Sequence, residues 1–459
     1  MTETKTASTI ARQRVDDLAA RHGEAGWLKE ARLSDWELYL KCPMPTPRDQ
    51  DWHGTDLSAL DLSAFTAVDF QPVEPKSPPE HPFVARTLRH FSRRAGVIVQ
   101  AVGRPGYIEL DAGLAARGVI LCDLSTALRE HGDRLRPYLA VPAKPDLNKF
   151  GLMARALFNC GLFLFVPPGV EIDLPILSMA LTGGATAGSA IFPRLIVLAG
   201  DNSKVSLIHA SAGEGAGRSG GGESAPVLHS GLVEIQAGAG ARVSFLDLYQ
   251  FGSNVVSVNR SEAAVAQDAE FTSLTVALGG GTTKSDIATY LQAPGAASWV
   301  SGLVLGSGHE HFNFNTIEEH NAPDTRSDIN FRVALGDSSA SVYQGIIRVA
   351  RVAQRTNAYQ QNRNLLLGGQ SKADSIPKLE ILADDVKCSH GATVGPVDRD
   401  QIFYLMSRGL TESEAEELIV LGFFKTVLES YPVAEAVDWV LESASQKLFR
   451  KPSGQTPAI

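Results

Sequence analysis

The chain has 459 residues, enough for about three domains of ordinary size and for a core that needs no disulfide or metal staple. Hydrophobic residues at 44% and charged residues at 20% are ordinary globular usage, which argues against a mostly disordered chain, a collagen-like repeat or a membrane bundle. Lys and Arg number 42 against 51 Asp and Glu, and the net charge of −9 speaks against wholesale binding to nucleic acid or to an anionic membrane.

The N-terminus (MTETKTASTIARQRVDDLAA) lacks the basic start and apolar centre of a secretory signal, and no run approaches the length of a membrane span, so a cytoplasmic protein is expected. Cys42, Cys122, Cys160 and Cys388 form no C-x-x-C pair and are expected to be reduced thiols. Helical spacing of Ile10, Val15, Leu18 and Ala19, then of Trp27, Leu28, Leu33 and Trp36, predicts two helices. Proline-rich sequence from Cys42 to about Pro82 predicts loop or wrapping segment. Leu147, Phe150, Met153 and Leu157 predict a helix over 146–160, ended by Gly161.

From Gly161 the texture changes to short apolar runs broken by Gly, Asn, Asp and Pro. LIVLAGDNSKVSLIHA, VEIQAGAGARVSFLDL, AAVAQDAEFTSLTVAL, TYLQAPGAASWVSGLVL and RVALGDSSASVYQGII each read as strand, tight turn, strand. Repetition without helices between the units favours a solenoid of stacked strands, although an antiparallel sandwich shares the local pattern. Residues 211–226 are too rich in Gly and Ser to bury apolar surface. There Gly215, Gly217 and Gly220 spell G-x-G-x-x-G, but no helix pattern follows, so dinucleotide binding is not expected. In GGGTTKS, Thr283 precedes Lys284 where a phosphate-binding loop needs Gly.

Thr411 with Glu414 three residues on is a capping box opening a helix through Ala415, Leu418, Ile419, Phe423 and Val427. A second helix follows, with Pro432 expected in its first turn. Such a pair either caps a solenoid end or presents a docking face.

Cys388 and His390 lie two apart in a strand-like run and therefore on one face. Imidazole beside thiol favours thiolate and suits zinc, copper or iron, yet two donors do not complete a site. His309 and His311, with Glu318, Glu319 and His320 beyond, follow the order of cupin metal sites at the wrong spacing, and a stand-alone cupin-like metalloenzyme is the rival reading.

Several segments carry a family resemblance: DDVKCSHGATVG with QIFYLMSRGLTESEAEELIVLGFF, QGIIRV at Gln344, TNAYQQNRNLLL at Thr356, SIPKLEI at Ser375, ALFNCGLFLFVPPGVEIDLPI at Ala156 and PTPRDQDW at Pro45. Together they resemble the SufB/SufD family of iron–sulfur cluster assembly proteins. SufB-type members carry C-x-H-E where this chain has Gly391, which sides with the SufD type. The resemblance implies a mainly β fold: a right-handed parallel β-helix core over 161–405, between an N-terminal helical domain with proline-rich connections (1–160) and a C-terminal helical domain (406–459). It implies a scaffold without catalysis of its own, paired with SufB, and with the ATPase SufC docked on the C-terminal helices through Thr411, Leu418, Phe423 and Phe424. His390, with Cys388 beside it, would contribute to a transient cluster shared with SufB, while ATP would bind only on SufC and reduced flavin is a candidate on the complex. A homodimer through exposed strand edges is compatible with this role. Truncation after Gly409 is expected to abolish SufC binding and leave the strand core folded.

Overall fold

A computed structural model describes residues 10–448 apart from 69, 72, 75, 184 and 214–225, so the G-x-G-x-x-G at Gly215, Gly217 and Gly220 lies outside the described residues. Two sheets, of 12 and 11 strands, are stacked face to face, and the chain alternates between them. Val255–Val265 runs in one sheet, Glu270–Ala277 in the other, and Thr282–Leu291 returns to the first. Along the core each strand pairs in parallel with the strand two steps away, as Val255–Val265 does with Thr282–Leu291. The result is a β-helix-like solenoid with helices on both flanks, and the antiparallel sandwich is set aside.

The turns explain the small residues that punctuate the repeats. Asn202, Asp268, Asp324 and Asp337 take left-handed backbone, and Gly240 and Gly295 do so at equivalent turns. These turns stack: a Cβ on Gly295 would lie 2.0 Å from the Asp268 carboxylate of the neighbouring turn. Stacked residues also bond, with Arg355 gripping Asp324 through two contacts of 2.6 Å.

Period two divides each strand between interior and flank. Leu207, Phe245 and Phe271 point between the sheets, whereas Ile208, Leu246 and Leu274 point outward. That outward face is covered by Pro82–His90, Glu412–Leu428 and Ala434–Leu448, which contribute Phe83, Phe424, Trp439 and Val440. The outer face of the 12-stranded sheet is covered by Arg12–His22, Gly26–Lys41 and Lys149–Leu157 through Val15, Leu18, Trp36 and Phe150. Buried charges are paired there: Arg32 binds both oxygens of Glu24 at 2.8 and 2.9 Å, and Arg155 binds Asp35 at 2.9 Å. The proline-rich segment wraps this sheet, its carbonyls at Gln50, Asp51 and His53 accepting from Gln344, Asn315 and Asn313.

Three expectations need correction. Residues 1–160 are not helical throughout, because Gly96–Ala101, Arg104–Leu110 and Ile120–Asp123 extend both sheets toward the N-terminus. The third predicted helix covers Lys149–Leu157 only: Asn148 caps it, and Cys160 already begins a strand. Pro432 lies in the bend before the last helix, which starts at Ala434. At the core's far side the last strand ends at Pro396, and a helix over Arg399–Ser407 follows. No helix among the described residues is long and apolar enough to cross a membrane.

Candidate functional site at the open end of the solenoid

At the C-terminal end of the solenoid each sheet stops at a strand with a single neighbour among the described residues. Lys372–Ile381 pairs only with Ala340–Val349, and Val386–Pro396 only with Thr356–Leu366. The C-terminal helices lie along the flank rather than across this end, so the capping reading does not hold. Two strand edges are left bare, the arrangement most open to pairing with another chain.

Cys388 and His390 both belong to the bare Val386–Pro396 strand, in register with Ala358 and Gln360 of the strand beneath. As period two requires, they share a face. Cys388 is half-buried against interior residues, and His390 is exposed. Burial pushes the Cys388 thiol up, partly opposed by a backbone hydrogen bond from Ala358. Burial thus works against the thiolate that a neighbouring imidazole can favour. Among the described residues no three His, Cys, Asp or Glu side chains converge on a common point. This end thus carries a thiol and an imidazole on one strand face.

Beneath them lies a feature the sequence reading missed. Gln360, Asn362 and Asn364 alternate along Thr356–Leu366 and are all buried. The Asn364 amide donates to Asn362 Oδ1 at 2.6 Å and to the Thr393 carbonyl of the last strand at 3.1 Å. The signal was present in YQQNRN, where amides at every second position mark one strand face as polar.

The rival histidine cluster is dispersed. His309 sits exposed in a turn, while His311 Nε2 bonds Thr55 Oγ1 at 2.9 Å and burial holds its pKa down. His320 uses both ring nitrogens, on Thr325 and Ser327 at 2.8 and 2.9 Å, and burial lowers its pKa to about 4. Glu318 points into the interior and accepts from Ser298 at 2.6 Å, and burial raises its pKa to about 8. The folded chain therefore keeps a proton there that the unfolded chain loses near its ordinary pKa of 4.5, so this residue lowers stability progressively as pH rises from about 4.5 to about 8. Glu318→Gln is expected to raise the urea midpoint at pH 8 and to leave it nearly unchanged at pH 4.5; an equal effect at both pH values would disprove the buried protonated carboxyl.

On the C-terminal helices, Thr411 caps Glu412–Leu428 with the capping box complete. Leu418 is 52% exposed. Phe424 is 0% exposed and belongs to the flank core, so its assignment to docking is corrected. Phe423 is half-buried, with the Arg332 guanidinium 5.5 Å from its ring centre. Both point toward the sheet because the helix rests on it there. Phe403, Tyr404 and Met406 of the preceding helix are instead 73%, 56% and 43% exposed, and Tyr404, Leu405 and Ile419 line a shallow groove between the two helices. Within QIFYLMSRGL itself nothing tells which side faces solvent.

Of the remaining thiols, Cys42 is half-buried, while Cys122 and Cys160 are buried core groups, and burial raises Cys122 to about 12.

Comparison with known proteins agrees with this architecture. Residues 181–423 match the family described as SUF system FeS cluster assembly, SufBD core domain. The chain is 28% identical to the iron-sulfur cluster assembly protein SufD of Bacillus subtilis (strain 168), covering 93% of this chain and 95% of that protein. It is 26% identical to SufB of the same organism, covering 94% and 91%. An iron-sulfur cluster assembly SufBD family protein of Staphylococcus epidermidis is 27% identical over 92% of this chain. A core match over more than half the chain, joined to a strand solenoid with bare ends, makes this chain a member of the SufBD family of iron–sulfur cluster assembly proteins.

Proposed function

We propose that this chain is the SufD-type scaffold of an assembly complex, with no catalysis of its own. Its open end pairs with SufB, and a nascent cluster, the cargo of the complex, is held between His390, Cys388 and donors of SufB. The observation that carries this reading is a thiol and an imidazole on one face of a bare edge strand, too few to hold iron alone and placed where another chain can add donors. Gly391 supports the SufD assignment, since overall identity to SufD and SufB is nearly equal. Four free cysteines fit work in the cytoplasm. An isolated chain with the same bare edges could pair with its own copy, so a homodimer is part of the proposal.

SufC docks on the outer faces of the helices Arg399–Ser407 and Glu412–Leu428, through Phe403, Tyr404, Met406 and Leu418. ATP binds on SufC, and its motion reaches the solenoid through helices that are seated on the sheet by Phe424 and Trp439. Co-expression with SufB and SufC followed by co-purification tests this. Phe403→Glu with Leu418→Glu should remove SufC at least about tenfold while SufB stays bound, because two exposed apolar anchors are lost without touching the core. Undiminished SufC in the double variant would move docking elsewhere.

A further inference from the structure

His390 and Gln360 are in-register neighbours on adjacent parallel strands and point to the same side. Neither side chain forms a hydrogen bond among the described residues, although for opposite reasons. His390 is exposed at the bare end, whereas Gln360 is 1% exposed and both its Oε1 and Nε2 are buried without a partner. An orphaned buried amide costs on the order of 1–3 kcal/mol, so this side chain detracts from stability as it stands.

The fold makes room for it. The carboxamide lies across the interior against Gly345 of the opposite sheet, where an added Cβ would come within 2.1 Å of Nε2. Glycine at 345 thus clears the place that the amide occupies. In the last rung Pro377 pairs with Gly345, and His390 pairs with Gln360. Gln360 and His390 are therefore one rung, about 4.8 Å, apart along the stack.

A histidine that binds a metal through one ring nitrogen nearly always donates its other N–H to a fixed acceptor. We propose that Gln360 is the positioning residue of the open-end site: its Oε1 accepts the free ring N–H of His390 once the other nitrogen holds iron, leaving Nε2–H to face the sulfur bound there. The inference rests on the proposed cluster site and adds to it the residue that fixes the imidazole. It explains why an amide that weakens the empty chain occupies a buried position beside the only donor pair on the terminal strand.

The test compares Gln360→Leu, Gln360→Glu and His390→Ala in the complex with SufB and SufC, reconstituted anaerobically with iron and sulfide, reading visible circular dichroism and iron loss to a chelator. Gln360→Leu should lose iron about tenfold faster with an altered dichroism spectrum, and Gln360→Glu, which keeps an acceptor oxygen, should restore much of the wild-type rate. In the isolated chain Gln360→Leu should melt at or above the wild-type temperature, because an orphaned polar group is removed. A Leu variant that is equally or more stable and holds iron as wild type does would show the amide to bind an internal water only and would overturn the inference. So would a Leu variant that melts well below wild type and is not rescued by Glu, since that is a packing role. If His390→Ala also leaves iron loss unchanged, the cluster site itself has failed; if His390→Ala alone accelerates it, only the role of Gln360 has.

Discussion

Replacing His390 with alanine is expected to cut the iron and sulfide retained by the reconstituted complex by about tenfold or more, while the complex assembles at its normal stoichiometry. The expectation follows from where the side chain stands. His390 is exposed on an edge strand and its side chain makes no hydrogen bond among the described residues, so its truncation should change folding stability by no more than about 0.5 kcal/mol. A loss of cluster can then be assigned to a lost donor rather than to a damaged scaffold. Unchanged iron and sulfide in an intact complex would place the cluster wholly on the partner and leave this chain an architectural role. Cys388→Ser in parallel separates the two donors, because serine keeps the size of the thiol and removes a soft ligand.

The largest loss of stability is expected from Trp439→Ala. Trp439 is 1% exposed, with its ring 5.6 Å from Phe91 and 6.2 Å from Phe83, and it joins the last helix to the flank of the 11-stranded sheet. Removing so large a buried side chain costs about 3–5 kcal/mol, read as a lower denaturant midpoint at unchanged slope. Its indole N–H has no partner among the described residues, so Trp439→Phe should cost much less. A midpoint for the alanine variant within error of wild type would mean that this helix is not seated on the sheet. The same packing revises the truncation expectation. Cutting after Gly409 removes Val420, Phe424, Leu428, Trp439 and Val440 together and strips the outward face of the sheet, so the strand core would not survive it intact. Point changes at Phe403 and Leu418 are the sound way to test docking.

The strand–turn–strand units were legible because their signals are local. A turn that needs left-handed backbone selects Asn, Asp or Gly, and period two marks the flanking strands, so GDNS and GDSS announce themselves. The capping box at Thr411 was equally local. What escaped was set by tertiary contact. Phe423 and Phe424 are chemically alike and adjacent, yet only the sheet beneath decides that Phe424 is fully enclosed. Residues 96–123 mix short strands with short helices, and their membership in the sheets depends on partners such as Ile176–Leu181 and Cys160–Val166 far along the chain. At the site, the pairing of Cys388 with His390 was visible from spacing. The amide ladder was passed over because polar residues on a strand are ordinarily taken to face water, and here the opposite sheet encloses them.

The bare end has a thermodynamic consequence. In a stack where each rung is held only by its neighbours, cooperativity is nearly one-dimensional, and the terminal rung frays more readily than those behind it. Amide protons of Val386–Pro396 should therefore exchange faster than those of Arg326–Leu335, along a gradient that a docked partner strand would flatten. Binding at that edge must then supply the ordering free energy of the very strand that carries Cys388 and His390. The order of that terminal strand is in this way conditional on assembly.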